Sequence, residues 1–168
     1  MIVARDGRVA LRRIAAADLP QISGFEYTVS IVEPMTGRAR LAEVFAQTGF
    51  WTEDAGALAI TVADRLVGTV QFYRSGLCIH GYEIGYILHG AADRGKGYGA
   101  EALRMFTGLL FAERPACHRL QLIIETWNDA SARLAEACGY QREGVLRKAG
   151  YSSAIPEDCF IYSRVRES

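Results

Sequence analysis

The feature that most constrains the fold of this chain is a glycine-rich hexapeptide between a strand pattern and a helix pattern. Residues 94–99 read Arg-Gly-Lys-Gly-Tyr-Gly, and the run before them, residues 83–88, is apolar, β-branched and aromatic, as is typical of a strand. After the hexapeptide, apolar residues recur at the spacing of one broad helix face; they are Ala102, Leu103, Phe106, Leu109 and Leu110. The sequence therefore predicts a strand, a tight turn and a helix.

A turn of this kind predicts an anion-binding site. The first amides of a helix have no partner within the helix, and the helix dipole adds partial positive charge at the same end. Such an end suits a phosphate group. Glycine at positions 95, 97 and 99 places no Cβ between the backbone and the anion, while Arg94 and Lys96 add positive charge. The ligand is therefore expected to carry phosphate.

Two well-known phosphate motifs do not match. A P-loop requires Ser or Thr after its Lys, whereas Lys96 is followed by Gly97. A dinucleotide fingerprint closes an early strand of a βαβ unit, whereas this turn lies past the middle of the chain. A glycine-rich turn without any ligand stays open as the alternative for the hexapeptide taken alone.

Two motifs together resemble the GCN5-related N-acetyltransferases (GNATs). Arg94-x-x-Gly97-x-Gly99 after the Ile-Gly-Tyr strand is similar to their acyl-CoA pyrophosphate loop. Asn128-x-x-Ser131 followed by Gly139-Tyr140 is similar to their helix beside the pantetheine arm of the cofactor. Further segments resemble the branch of ribosomal-protein N-terminal acetyltransferases and their small-molecule relatives; they are Val9-Ala10-Leu11-Arg12-Arg13, Glu143-Gly144-x-Leu146-Arg147 and Asp158-x-x-x-Tyr162-Ser163.

The resemblance implies one α/β (α+β) domain over residues 1–168. It implies a mixed, mostly antiparallel, twisted sheet of about six to seven strands with about four flanking helices, and strands that splay at the cofactor site. A half-hydrophobic chain of 168 residues has the size of a single domain with a substantial core. Residue patterns predict a hairpin of strands 57–62 and 66–73, a helix over 38–48, and Asp18 as a helix N-cap.

The resemblance also implies acetyl-CoA as the cofactor and assigns its contacts. The loop would bind the pyrophosphate, backbone N–H groups of Ile87 and Leu88 would stabilise the oxyanion, and Asn128 would contact the pantetheine arm. The predicted cofactor contacts are thus Ile87, Leu88, Arg94, Gly95, Lys96, Gly97, Tyr98, Gly99 and Asn128.

The predicted catalytic residues are Glu83 and Ser131. Strand alternation places residues 83, 85 and 87 on one face, so Glu83 could take the amine proton directly or through one water. Many family members carry a tyrosine acid seven residues after the motif asparagine, but this chain has Ala135 there, and the branch suggests Ser131 as donor to the sulfur. The alternatives are an exposed strand charge for Glu83, and a first-turn serine capped by Asn128 for Ser131. Tyr82 and Tyr86, on the other strand face, are predicted as core, with cofactor contacts as the alternative.

Composition limits the partners. Nineteen basic and nineteen acidic residues balance, so nothing favours nucleic acid or an anionic membrane. No apolar run approaches the ~20 residues that span a bilayer, and no signal peptide is recognised. Four separated cysteines without a CxxC pair, and three scattered histidines, predict reduced thiols in a cytoplasmic protein and no metal site. A homodimer stays open.

The function predicted from these motifs is direct transfer of an acetyl group from acetyl-CoA to a primary amine in a ternary complex. The acceptor is either a protein N-terminus or a small amine such as a polyamine or an antibiotic. A non-catalytic acyl-CoA sensor is the alternative from another class, because the usual tyrosine is missing. A nucleotide-binding domain is a third reading, and it requires stronger stabilisation by ATP or NAD than by acetyl-CoA.

Overall fold

The computed structural model describes residues 1–22, 27–28, 34–35, 38–76, 78–150 and 155–167. The strands within these ranges are β1 (Ile2–Asp6), β2 (Val9–Arg13), β3 (Tyr27–Thr28), β4 (Pro34–Met35), β5 (Ala55–Val62), β6 (Arg65–Tyr73), β7 (Gly81–Leu88), β8 (Arg119–Glu125), β9 (Gln141–Leu146) and β10 (Cys159–Val165). The α-helices are α1 (Leu19–Ile22), α2 (Arg38–Thr48), α3 (Tyr98–Glu113) and α4 (Asp129–Ala137).

Eight of these strands form one twisted mixed sheet in the order β1-β2-β5-β6-β7-β8-β10-β9, and β3 pairs separately with β4. Every neighbouring pair in the large sheet is antiparallel except β7 with β8, which is parallel. The predicted α/β architecture with four helices is confirmed. The sheet has eight strands instead of six to seven.

The additional strand is β1, at one edge of the sheet. It pairs only with β2, through a turn at Gly7 whose φ of 55° is in the left-handed region. None of its five residues is fully buried, so its sequence lacks the apolar alternation that reveals a half-buried strand. Residues 2–6 form a strand because they hydrogen-bond to β2, and the hydrophobic periodicity of these residues does not predict the strand.

The sheet separates two hydrophobic cores. The larger core packs β-strand residues such as Phe72, Ile84 and Leu120 against Phe106 and Leu110 of α3 and Ala135 of α4. On the opposite face, a smaller core packs Ile22 of α1 and Leu41 of α2 against Ala57 and Ala59 of β5. The helix pair α1 and α2 and the helix pair α3 and α4 therefore cover opposite faces of the sheet. A site between two strands can have residues from both faces around it.

Local sequence patterns account for several elements. The predicted helix over 38–48 coincides with α2, and the predicted hairpin is β5–β6, whose connecting residues Ala63 and Asp64 have φ of 48° and 62°. Positive φ at both central positions matches the twist of a two-residue hairpin. The prediction that Asp18 is a helix N-cap is wrong. Asp18 lies at the third position of a 3-10 turn, where its carboxylate accepts hydrogen bonds from the Ala15 N–H at 2.7 Å and from Arg12.

An ion pair joins the last strands. Arg119 on β8 donates to both oxygens of Glu143 on β9, at 2.9 and 2.5 Å, and Ser163 Oγ on β10 donates to the same carboxylate at 2.6 Å. The bonds from Arg119 and then Ser163 lower the pKa of Glu143 to about 2. The Glu143 side chain is 41% exposed, so solvent screening limits the contribution of the ion pair to the free energy of unfolding to about 1 kcal/mol.

We expect this carboxylate to make stability depend on acid pH. Because the pKa of Glu143 is lower in the folded than in the unfolded chain, its contribution is present above the unfolded value and is lost as the pH falls from about 4.5 to about 2. Urea unfolding of Glu143→Gln should show a deficit of about 1 kcal/mol at pH 7 that shrinks below pH 4. A deficit independent of pH would show that packing, not charge, is responsible.

Candidate active site

The candidate site is a gap in the sheet where β7 and β8 separate. The two parallel strands pair only at Gly81–Arg119, Tyr82–Leu120 and Glu83–Gln121. Beyond Glu83 the side of β7 that faces β8 has no strand partner among the described residues, while β6 continues to pair with β7 as far as Leu88. α3 and α4 begin just beyond the far ends of these strands. The splay predicted at the cofactor site is therefore present.

Backbone amides line the open edge of β7. The His89 N–H donates to Val67 O at 2.9 Å, so His89 lies in a hydrogen-bonded position of the β6–β7 ladder. Such positions alternate with non-hydrogen-bonded ones along an antiparallel pair. The N–H of Ile87 therefore points towards β6, whereas the N–H groups of Leu88 and Tyr86 point into the gap. Of the two predicted oxyanion donors, Leu88 is the one with the required orientation.

The glycine-rich loop continues from this edge. A 3-10 turn, Ala91–Asp93, leads to Arg94, and Gly97 is the N-cap of α3 with φ of 84° and no side-chain hydrogen bond to the helix end. The first amides of α3 are thus not capped by a described side chain. A Cβ on Gly99 would lie 2.9 Å from Leu134 Cδ1, so glycine allows α3 to approach α4 closely.

These features fit the pyrophosphate of a coenzyme A. Uncapped amides at a helix N-terminus and the dipole favour an anion. Arg94, Gly95, Lys96 and Gly97 are exposed, and nothing lies within 4 Å of the Cβ position of Gly95, so the space over the loop is open. Tyr98 is buried in the core, where it anchors the first turn of α3.

Two arginines distant in sequence support the loop. Arg65, at the start of β6, donates to both carboxylate oxygens of the buried Asp93 at 2.9 and 2.6 Å, and this bond lowers the pKa of Asp93. Arg8, after the β1–β2 turn, donates to Lys96 O and lies 4.8 Å from the centre of the Tyr98 ring. Sequence reasoning missed both, because no local motif connects them to the loop.

The second predicted motif lies on the other side of the gap. Asn128 is the N-cap of α4, and its Oδ1 accepts from the Ser131 N–H at 3.2 Å. The side-chain oxygen of Asn128 therefore caps α4, as the alternative for Ser131 predicted. The side-chain NH₂ group of Asn128 is the part that could donate to a pantetheine carbonyl. Ser131 is half-buried in the first turn of α4.

Tyr86 connects the two sides of the gap. Its hydroxyl lies 2.5 Å from Ser131 Oγ and 3.3 Å from Ser131 O. Burial raises the pKa of Tyr86 to about 12, so the phenol keeps its proton at neutral pH. Ala135, at the position where the resemblance implies a tyrosine acid, is fully buried one turn after Ser131 on the same helix face. Tyr82 is buried core as predicted, whereas Tyr86 is a polar contact at the gap.

Glu83 lies at the vertex of the gap, at the last residue pair that joins β7 to β8. It is 1% exposed, so it is not the exposed strand charge of the alternative reading. Tyr73 Oη donates to its Oε1 at 2.6 Å, and Gln121 Nε2 donates to its Oε2 at 3.2 Å. A carboxylate held in this way is fixed in position but has no direct opening to solvent in this conformation.

The two predicted catalytic residues approach the gap from opposite faces. Ile87 packs in the smaller core with α1 and α2, and Tyr86 packs with the larger core of α3 and α4. By alternation Glu83 shares the face of Ile87. Ser131 belongs to α4, on the face of Tyr86. A ligand chain between β7 and β8 would therefore have Ser131 on one side and Glu83 on the other.

Cys78, Cys117, Cys138 and Cys159 are free and buried, and burial raises the pKa of each thiol, that of Cys78 to about 11. The described residues contain no cluster of three His, Cys, Asp or Glu side chains that could hold a metal ion. In the same part of the chain, no helix is long and apolar enough to cross a membrane.

Comparison with known proteins agrees with this fold and gap. Residues 8–141 match the family model of the acetyltransferase (GNAT) domain, so the chain belongs to the GNAT acetyltransferase family. An uncharacterized N-acetyltransferase, YoaA of Bacillus subtilis (strain 168), is 32% identical over 101 residues, which are 60% of this chain and 56% of that protein. The match thus spans about half the length of this curated relative.

Solved structures share the fold over nearly the whole chain. The ribosomal L7/L12 alpha-N-protein acetyltransferase RimL, in complex with coenzyme A, has a TM-score of 0.76 at 17% identity and covers 98% of both chains. A spermidine N-acetyltransferase from Vibrio cholerae, in complex with CoA and spermine, has a TM-score of 0.77 at 19% identity and covers 94% of this chain and 95% of that one. The predicted family is confirmed, and acetyl-CoA is supported as the cofactor.

Proposed function

We propose that residues 1–168 act as one domain that transfers an acetyl group from acetyl-CoA to a primary amine. The observation that carries this proposal is the gap between β7 and β8, with inward-pointing amides on one edge and an uncapped helix N-terminus at its end. Sensing acyl-CoA would need only the loop and the edge. Glu83 and the Tyr86–Ser131 pair add proton-handling groups on both faces of the gap and favour catalysis.

Each predicted residue then has a defined task. When bound, acetyl-CoA supplies an acetyl thioester. The loop of Arg94 to Gly99 would hold its pyrophosphate, and the NH₂ of Asn128 would donate to its pantetheine arm. The Leu88 N–H would donate to the acetyl carbonyl oxygen, where negative charge develops as the amine attacks. Ile87 supports this strand through its N–H towards β6 and its packing beside α1 and α2.

Protons move at the two faces of the gap. The amine nitrogen forms the new C–N bond and gives up one proton, which Glu83 takes through one intervening water because the carboxylate is buried. As the C–S bond breaks, the Ser131 hydroxyl donates a hydrogen bond to the departing sulfur. The acetyl group is never attached to the protein in this series of steps. Acetyl-CoA and the amine would therefore be bound to the protein at the same time, in a ternary complex.

Tyr86 has a positioning task. A phenol has one hydrogen, and if Tyr86 donates it to Ser131 Oγ at 2.5 Å, the hydrogen of Ser131 is directed elsewhere, into the gap. Without this donor the Ser131 hydroxyl can turn towards a backbone carbonyl of its own helix. With Tyr86 as the donor, the pair fixes which way the serine hydrogen points.

We expect Tyr86→Phe to lower kcat about 10-fold, the effect of one hydrogen bond of about 1–1.5 kcal/mol, with little change in the dissociation constant of acetyl-CoA. The double variant Tyr86→Phe/Ser131→Ala should be no slower than Ser131→Ala, because both changes remove the same donor. Steady-state rates and calorimetric binding measure these quantities. Additive losses in the double variant would contradict the shared role.

The proposed function is tested by release of free thiol from acetyl-CoA in the presence of primary amines. N-terminal peptides, polyamines and aminoglycosides form the panel, and mass spectrometry identifies the acetylated product. Thermal stabilisation by acetyl-CoA, ATP and NAD is measured in parallel. Turnover with one acceptor class establishes the transferase. Stabilisation by acetyl-CoA without turnover on any amine favours the sensor, and stronger stabilisation by ATP or NAD favours a nucleotide-binding domain.

A further inference from the structure

An apolar cavity of about 180 Å³ lies between α1, α2 and the strands β5 and β6. Its principal apolar lining residues are Ile14, Ile22, Leu41, Val44, Phe50 and Ala57. The described residues that line it include no Asp, Glu, Lys, Arg or His. A cavity of this character can hold an uncharged apolar group and offers no counter-ion to a charged one.

Three described polar side chains border the cavity, and two of them are fully used by their own segments. Thr48 Oγ1 donates to Val44 O at 2.7 Å and accepts from the Phe50 N–H at 3.1 Å. Thr52 Oγ1 donates to Ala55 O at 2.9 Å and accepts from the Ala55 N–H at 3.1 Å. The remaining polar side chain is Gln71.

The carboxamide oxygen of Gln71 is buried, and no described residue donates a hydrogen bond to it. A buried acceptor without a donor costs about 1–3 kcal/mol, and most such atoms in folded proteins have a partner. Without a donor, this oxygen therefore contributes nothing to the stability of the folded protein. A ligand N–H group placed beside Gln71 would supply the missing donor.

Gln71 also lies next to the gap. It faces Gly85 in the β6–β7 register, and its Nε2 is 2.8 Å from the position that a Cβ on Gly85 would occupy. The glycine therefore lets the Gln71 side chain lie across β7. Two residues further along β6, on the same face, Tyr73 holds Glu83. Gln71 thus lines the cavity and lies on the same sheet face as the proposed base.

We infer that the acceptor is a primary amine carrying one uncharged apolar substituent, which occupies this cavity while Gln71 Oε1 accepts a hydrogen bond from the amine. The inference rests on the proposed function and specifies its substrate class. A volume of about 180 Å³ suits one substituent, because an apolar cavity of ~150 Å³ holds a benzene molecule. Either an N-terminal Leu or Phe residue of a peptide or a free arylalkylamine supplies this chemistry.

The described lining residues carry no charge, and this favours apolar amines over polyamines and aminoglycosides. Each carries further ammonium groups, and burial of an unpaired charge is strongly unfavourable. A leucine-sized group gains about 1.5–3 kcal/mol from burial, which corresponds to about 10- to 150-fold in kcat/KM. Selection of the acceptor by this cavity is therefore expected to be an apolar preference.

The test compares kcat/KM for peptides that begin with Phe, Leu, Ser or Asp and share the remaining sequence, together with 2-phenylethylamine and spermidine. We expect the Phe and Leu peptides, 2-phenylethylamine, or both to exceed the Ser peptide and spermidine at least 10-fold. The peptide and free-amine arms distinguish the two sources of the substituent. Preference for spermidine or for the Asp peptide would overturn the inference and leave the transferase established.

Ala57→Leu fills the cavity from β5, and Ala42→Leu, at an exposed position of α2, is the matched control. Ala57→Leu should lose at least 10-fold in kcat/KM for the apolar amine, retain acetyl-CoA binding, and unfold at the same or a higher temperature because a void is filled. Ala42→Leu should keep wild-type kinetics. Equal kinetics of Ala57→Leu and wild type would overturn the inference.

Gln71→Leu separates a substrate contact from a structural one. Replacing an unpaired buried oxygen should leave stability unchanged or raise it, while KM for the amine rises about 10-fold. Thermal shift with 2-phenylethylamine and free CoA reports occupancy without turnover. The Phe peptide with free CoA is measured in the same way. A shift in the wild type that Ala57→Leu abolishes supports the cavity even if the proposed transfer fails, and no shift with either the amine or the Phe peptide overturns the inference.

Discussion

Gly97→Glu is expected to abolish measurable acetyl-CoA binding. Gly97 caps α3 with φ of 84°, a conformation that costs a residue with a Cβ about 1–2 kcal/mol. The larger effect is electrostatic, because the new carboxylate would stand beside Glu101 at the site proposed for the pyrophosphate. At an effective dielectric constant near 20, each charge pair at 4–5 Å contributes about 3–4 kcal/mol of repulsion. We expect affinity to fall at least 100-fold by isothermal calorimetry.

Gly97→Asn is the matched control for this substitution. Asparagine tolerates the left-handed region and carries no charge, so acetyl-CoA affinity should stay within about 10-fold of the wild type. A Cβ at this position meets Glu101 Oε1 at 3.7 Å and Arg8 Nη2 at 3.9 Å, which are ordinary contacts. Both variants should therefore fold. If the Glu variant bound acetyl-CoA as tightly as the Asn variant, the pyrophosphate would have to lie elsewhere.

Glu83→Gln is expected to lower kcat by about 10²–10⁴-fold while the dissociation constant of acetyl-CoA changes little. The reason is the loss of the proton acceptor at the vertex of the gap. Single-turnover rates, with acetyl-CoA binding measured separately, distinguish a lost base from a lost cofactor site.

The variant also disturbs a hydrogen-bonded cluster. An amide at position 83 keeps one oxygen for Tyr73 but presents NH₂ to Gln121, so a stability loss of about 1–3 kcal/mol is expected. Tyr73→Phe removes one bond of the same cluster and retains the carboxylate, so it should cost similar stability but much less kcat. Equal kcat losses in the two variants would assign Glu83 a structural role in holding β6, β7 and β8 together.

Local patterns were sufficient for much of the fold. The β5–β6 hairpin follows from two branched runs around a short polar turn, and the strand–loop–helix unit at residues 83–110 follows from a change of hydrophobic period across a glycine-rich stretch. α2 was recognised in the same way. These predictions succeeded because the turn conformations and the apolar spacing depend on neighbours within a few residues.

Sequence patterns were insufficient where a feature depends on contacts with residues outside the local pattern. β1 was missed because its pairing with β2, not its own sequence, defines it. Asp18 was assigned to the wrong cap position because Arg12 and the Ala15 N–H draw its carboxylate into a 3-10 turn. Tyr86 packs against the larger core as predicted, but strand parity could not show that its hydroxyl meets α4 across the gap.

By itself, the sequence determined the family, the glycine-rich loop between β7 and α3, and the order of most elements, because each is encoded in contiguous residues with characteristic spacing. The tertiary structure decided the chemistry around that loop. It brought Arg65 to Asp93, enclosed Glu83 between Tyr73 and Gln121, and left Gln71 Oε1 without a described donor beside an apolar cavity. Those contacts join residues up to tens of positions apart, and only the packed sheet brings their side chains within bonding distance.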